Sequence, residues 1–134
     1  AQSCSKPVQL LDLYPTLVDI CGLRKNAANE GHSLAPLLAN GQAAWPHTAI
    51  TSYCPGNHAI RSEQFRYIQY RDGTEELYDH RKDPNEWQNV ANNPEYAAIK
   101  KDLARSIPTK NAPWAKHSGY LTNDFFREEM KNRK

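Results

Sequence analysis

Cysteine is scarce in this 134-residue chain, and its placement excludes more than it allows. Cys4, Cys21 and Cys54 form no C-x-x-C pair, and three thiols cannot close a disulfide set, so neither a zinc ribbon nor a disulfide-framework domain is supported. At least one thiol is free or paired outside the chain, and which of Cys4 and Cys54 that concerns stays open. Cys21, at the end of an apolar stretch, is expected as a small buried hydrophobe. Long apolar runs are missing too: none approaches the roughly 18 residues that span a bilayer, and the N-terminus lacks the charged, apolar and cleavage regions of a signal peptide. No charge of one sign dominates, since seventeen basic side chains stand against fifteen acidic ones for a net +2. Interspersed as they are, they make no extended field for a nucleic-acid backbone, and the basic end from Arg127 to Lys134 is diluted by Glu128 and Glu129.

Motifs for catalysis are equally absent. Histidines 32, 47, 58, 80 and 117 show no H-x-x-x-H spacing and no nearby acidic cluster, so no metal site is expected in the chain. A G-x-S-x-G elbow and a glycine-rich phosphate loop are likewise missing.

What is present is material for one modest core, since a chain of this length hides roughly two-thirds of its extended surface on folding. Nine prolines and 39% hydrophobic residues indicate a loop-rich body, while seven Tyr, three Trp and three Phe supply large anchors. Asp12 reads as the cap of a helix with Pro15 in its first turn. Leu13, Leu17 and Ile20 share one stripe, Tyr14, Val18 and Cys21 lie beside it, and Gly22 is a C-terminal stop. Such a helix is apolar around most of its girth and calls for burial on more than one side. Ser33 then caps a single turn through Leu34, Leu37 and Leu38 that ends at Asn40-Gly41.

From His47 to His80 the period turns strand-like, with β-rich runs at Thr48 to Tyr53, Ala59 to Ser62, Phe65 to Tyr70 and Glu76 to Tyr78. Asp72-Gly73 is a two-residue hairpin signal between the last two. A four-stranded antiparallel sheet follows from this pattern. Asp83-Pro84-Asn85-Glu86 reads as a capping box, and Asn93-Pro94 repeats the device before a helix with Tyr96, Ile99, Leu103 and Ile107 on one stripe and Lys100, Lys101 and Arg105 largely outside. The fold class is therefore α+β, a small four-stranded antiparallel sheet packed against a long C-terminal helix. Three stretches are expected: 1–44, a connecting segment with a buried helix; 45–108, the sheet and helix; and 109–134, an extended tail able to hold a short helix bearing Phe125, Phe126 and Met130.

Five passages together carry a family resemblance. They are Leu11-Asp12-Leu13-Tyr14-Pro15-Thr16-Leu17; Gly31-His32-Ser33-Leu34-Ala35-Pro36-Leu37-Leu38; Gly56-Asn57-His58-Ala59-Ile60-Arg61; Phe65-Arg66-Tyr67-Ile68; and Glu76-Leu77-Tyr78-Asp79-His80 running through Asp83-Pro84-Asn85-Glu86-Trp87-Gln88-Asn89-Val90-Ala91. In this order and spacing, over about Val8 to Ile107, the chain resembles the C-terminal domain of the formylglycine-dependent sulfatases, within the alkaline phosphatase superfamily and closest to the iduronate-2-sulfatase-like group.

The resemblance implies a parent enzyme that hydrolyses sulfate esters, on sulfated sugars or glycosaminoglycans. Its formylglycine, made from Cys or Ser in a C/S-x-P-S-R motif, and its calcium would lie in a catalytic domain upstream. That motif is not in this sequence: Cys4-Ser5-Lys6-Pro7 has its proline one place late and Cys54-Pro55 one place early, so neither cysteine is promoted to nucleophile. The chain is thus expected to be a fragment, catalytically silent alone, whose partners are the parent's own catalytic domain and, through it, a sulfated carbohydrate. Nucleic acid and membrane are not expected partners, self-association of the isolated piece is, and the parent would be periplasmic, secreted or lysosomal. The candidate substrate-binding residues are His58, in the loop before the Ala-Ile-Arg strand, and Arg61, for which an ion pair fastening sheet to catalytic domain is the competing role. On an extended strand the two point to opposite faces. Competing functions are the equivalent domain of a phosphate or phosphonate ester hydrolase, and a stand-alone carbohydrate-binding or interaction module using Trp45, Trp87 and Trp114. Core packing is the role expected of those tryptophans.

Overall fold

The structure is a computed structural model, and it describes residues 3–112. A 3-10 turn, Leu10–Asp12, runs directly into helix α1, Leu13–Ile20. Asp12 is therefore not the helix cap the sequence suggests. It is already helical in backbone and 2% exposed, and its carboxylate accepts the N–H groups of Gln9 (3.0 Å) and His32 (2.9 Å). The far end follows expectation: Gly22, at φ +62°, lets its own N–H reach Asp19 O while the Leu23 N–H reaches Val18 O, a Schellman closure.

Within this chain α1 buries only Thr16 and Val18. Leu10, Leu13, Tyr14, Leu17 and Ile20 are all exposed by more than half, and Cys21 is exposed rather than buried. Among the described residues the apolar girth of α1 thus lacks cover, because what packs on it there is a largely polar clasp. Ser33 Oγ donates to Asp19 (2.7 Å), the Leu34 N–H donates to Thr16 Oγ1 (2.8 Å), and Leu37 of helix α2, Ala35–Ala39, is buried. Ser33 also accepts the Ala35 N–H, so it serves the turn it was expected to cap.

The sheet is a meander, β1 (Ala49–Ser52), β2 (His58–Arg61), β3 (Phe65–Gln69) and β4 (Glu75–Asp79), each antiparallel to the next. Register pairs Ile50 with Ile60, Ile60 with Tyr67 and Tyr67 with Leu77, so these four share one face. Ile60, Tyr67 and Leu77 are fully buried there beneath Tyr96 and Leu103, with Ile99 and Ile107 packed beside them. Burial of three such side chains contributes on the order of 5–8 kcal/mol. The opposite face carries Ala59, Arg61, Arg66, Ile68, Glu76 and Tyr78, all partly exposed.

Both sheet edges are closed by side-chain amides, which removes the unpaired backbone groups that invite further strands. Gln9 Oε1 accepts the Ile50 N–H on the β1 edge; Asn89 Oδ1 accepts the Leu77 N–H, and the Val90 N–H donates to Leu77 O, on the β4 edge.

Three local expectations change. The β3–β4 connection is a three-residue loop, since Tyr70 and Thr74 still pair and Gly73 takes φ +86°. Asp83-Pro84-Asn85-Glu86 starts no helix: Asp83 accepts the Gln88 N–H (2.8 Å), and Glu86 sits at φ +59° with its carboxylate turned toward arginines instead of back to Asp83. The long helix is short, a 3-10 turn Pro94–Tyr96 and then α3, Ala97–Ala104, of eight residues. Asn93 does cap it, accepting the Glu95 N–H. Trp87, expected in the core, is 83% exposed. Trp114, His117 and the terminal helix with Phe125, Phe126 and Met130 lie outside the described residues.

Candidate functional site

Arg61 and Arg66 are directly opposed across β2 and β3, so both side chains rise from the open sheet face. Like charges this close need an anion between them. Glu86 supplies it: Arg66 Nη1 donates to Oε2 at 2.9 Å, Arg61 Nη1 lies 3.8 Å from Oε1, and the His80 imidazole bonds Oε1. Arg61 Nη1 is also 2.7 Å from His80 Nδ1. The same Arg61 Nη1 lies 2.6 Å from His80 Nε2, so the guanidinium packs against both ring nitrogens while Glu86 meets Nε2. Burial and then the charge of Arg66 push the Arg61 pKa down, against the pull of Glu86. The two guanidinium side chains remain about two-fifths exposed, so each keeps donors facing outward. With Glu86 between them the pair keeps one net positive charge, and its outward N–H donors match carboxylate and sulfate oxygens.

Next to this cluster Glu76 receives both tyrosine hydroxyls, Tyr78 at 2.9 Å and Tyr70 at 3.2 Å. Burial and Glu76 together push the Tyr78 hydroxyl up to about 12, so it stays a hydrogen-bond donor through the physiological range.

His58 lies on the other face. It is the first residue of β2 instead of a loop residue, it is 4% exposed, and it pairs in register with Ser52 and Gln69. Its Nδ1 is 2.8 Å from Ser52 Oγ, while its buried Nε2 has no hydrogen-bond partner among the described residues. His58 and Arg61 are thus on opposite faces of one strand, as extended geometry requires.

Two further groups escaped sequence reasoning. His32 and His47 stack at 3.6 Å between ring centroids, with Trp45 edge-on at 4.7 Å from His47, and burial followed by the neighbouring His32 lowers the His47 pKa. They are fifteen positions apart, and only the clasp brings them together. Asp79, 3% exposed, is held bidentately by Arg81 and receives the Tyr96 hydroxyl at 3.3 Å, and Lys82 Nζ donates to that hydroxyl at 3.0 Å. The partner of Arg61 was nearer to hand, in the Asp-Pro-x-Glu spacing that places Glu86 on the tight turn after β4. Among the described residues no three of His, Cys, Asp and Glu converge as a metal-holding group. Nor is any described helix long and apolar enough to cross a membrane.

The chain is 42% identical over 123 residues to a sulfatase of Formosa agariphila, covering 92% of this chain and 24% of that protein. It is 37% identical over 99 residues to a Δ4,5-hexuronate-2-O-sulfatase of Bacteroides thetaiotaomicron, covering 66% and 20%. Among solved structures, a 2-O glycosaminoglycan sulfatase matches with TM-score 0.59 and 26% identity over 92% of this chain and 26% of that one. The phosphonate monoester hydrolase of Agrobacterium radiobacter matches with TM-score 0.57 and 29% identity, over 70% and 23%. The chain therefore spans about a quarter of the length of its relatives. Residues 1–112 match the family model of the N-sulphoglucosamine sulphohydrolase C-terminal domain, and with that coverage this chain belongs to the sulfatase C-terminal domain family.

Proposed function

We propose that this chain is the pocket-completing part of a sulfuric ester hydrolase that acts on sulfated sugars, and that it is catalytically silent alone. The observation that carries the reading is the uncovered apolar side of α1, where Leu13, Leu17 and Ile20 face outward in a chain whose relatives are about four times as long. Burying that side against a catalytic domain would fix the sheet beside the substrate cleft. Calcium and the formylglycine nucleophile belong to that domain, and the parent would work in a periplasmic, secreted or lysosomal setting. In this reading Arg61 offers its outward donors to an anionic group of the sugar, while His58, buried on the core face and bonded to Ser52, holds the start of β2 in place. Sequence relatives that desulfate hexuronate and N-acetylglucosamine support sulfate over phosphonate as the leaving ester.

The test is sulfate release from glucosamine 6-sulfate and from an unsaturated hexuronate 2-sulfate, by the full-length parent and by this chain separately. Release by the parent alone is the expected result. Activity toward a phosphonate monoester with none toward either sulfate would replace this reading with the phosphonate hydrolase one. In the parent, Arg61→Ala is expected to raise KM more than it lowers kcat.

A further inference from the structure

A tryptophan left outside the core presents a large flat apolar face with a polar N–H at its edge, which suits a partner that is part apolar and part polar. Trp87 is 83% exposed, yet it stands on a rigid support. The Asp83 carboxylate accepts the Gln88 N–H at 2.8 Å; this bond, with further ones from the backbone of Trp87, Asn85 and Glu86, holds the carboxyl below its usual range. The positive φ of Glu86, immediately before Trp87, is fixed from the other side by Arg66 and His80. The backbone that carries the indole is therefore held from both sides.

Beside it is a cavity of about 200 Å³ with a mixed lining: Trp87 and Val90 on the apolar side, and Lys82, Gln88, Asp79, Asp83 and Tyr96 on the polar one. Asp79 and Tyr96 are both more than nine-tenths buried, and their hydrogen bonds to Arg81 and Lys82 set the floor. Lys82 spends one of its three ammonium donors on Tyr96. An aromatic face next to polar groups in a volume of this size suits a pyranose ring, whose axial C–H face stacks on indole while its hydroxyls meet amide and ammonium donors.

We propose that Trp87, Lys82 and Gln88 form a sugar-holding subsite, with Trp87 stacking on one pyranose and Lys82 taking a sulfate or hydroxyl oxygen of it. The site is separate from the Arg61 and His58 positions, on the turn that follows β4. The choice of a sulfated sugar as ligand rests on the function proposed above. The subsite would hold a second residue of a polymeric substrate and would contribute binding without chemistry.

The test is titration of the 134-residue chain with glucosamine 6-sulfate and with unsulfated glucosamine, followed by the indole N–H signals in NMR. Trp87 is expected to shift saturably with a roughly millimolar Kd, while Trp45, whose Nε1–H is held by Pro7 O at 2.9 Å, stays still. Trp87→Ala, read at the Gln88 and Val90 amides, is expected to weaken binding by about tenfold, with Trp87→Tyr restoring part of it. Lys82→Met should weaken the sulfated sugar selectively. No saturable shift up to about 20 mM, or an unchanged affinity in Trp87→Ala with dispersed spectra, overturns the subsite. Sulfate release by the full-length parent is the independent control. Release together with a silent Trp87 removes this inference alone, whereas absence of release removes the reading beneath it.

Discussion

A Cβ placed on Gly31 would lie 2.0 Å from the carbonyl oxygen of Leu11, so the clasp closes backbone against backbone. This contact brings the His32 N–H onto Asp12 and so explains a glycine in the Gly-His-Ser-Leu passage. Gly31→Ala is expected to cost about 3 kcal/mol through overpacking that neither backbone can relieve. A urea unfolding curve with an unchanged midpoint would refute the close approach. Gly22→Ala is the contrast: nothing lies within 4 Å, so only its φ of +62° is penalised, by about 1 kcal/mol.

Glu86 combines a left-handed backbone with the central carboxylate of the arginine pair. Glu86→Ala should lose about 2 kcal/mol, because the carboxylate goes and the backbone strain stays. Glu86→Gly should recover about 1 kcal/mol of that loss despite being the larger truncation, since glycine adopts this φ freely. Equal melting temperatures for the two variants would show that the strain is not real.

Asp79 predicts an acid transition. Its carboxyl is held down to about 2 by the Arg81 hydrogen bonds, against desolvation that works the other way. A folded-state pKa below the unfolded one means stability that is full above about pH 4 and is lost as pH falls through about 2. Asp79 is almost fully buried, so the loss is on the order of 2 kcal/mol. Unfolding free energies at pH 5 and pH 2.5 should differ by about that amount beyond the general acid effect, and Asp79→Asn should flatten the difference.

Leu13 and Leu17 of α1 are 53% and 61% exposed. The double variant Leu13→Glu, Leu17→Glu is expected to leave the stability of the isolated chain within about 0.5 kcal/mol while abolishing its self-association in light scattering. A monomeric wild-type chain would contradict this.

Much of the fold was legible because the meander obeys a local rule. Ile60, Tyr67 and Leu77 alternate with residues of the open face in runs bounded by turn residues, and cross-strand register follows from that alternation. The misreadings have a common cause in contacts distant along the chain. Asp83 to Glu86 satisfies a capping-box pattern locally, but Arg66, twenty residues earlier, claims the glutamate. Asp12 looks like a helix cap until His32 is brought to its carboxylate by the clasp. Cys21 has the chemistry of a core residue but is exposed, since none of the described residues covers that side of α1. Of the site, the opposite aim of Arg61 and His58 followed from strand geometry, whereas the pairing of Arg61 with His80 and Glu86 required the turn to be seen closed.

The strand order has a kinetic consequence. Each strand pairs only with its neighbours in sequence, so every hairpin can zip before the next begins and no long loop has to close first. Gln9 and Asn89 then seal the two edges as late arrivals, from residues flanking the meander on either side. A meander built this way can reach its native pairing early and wait, its open arginine face already formed, for whatever surface it is to meet.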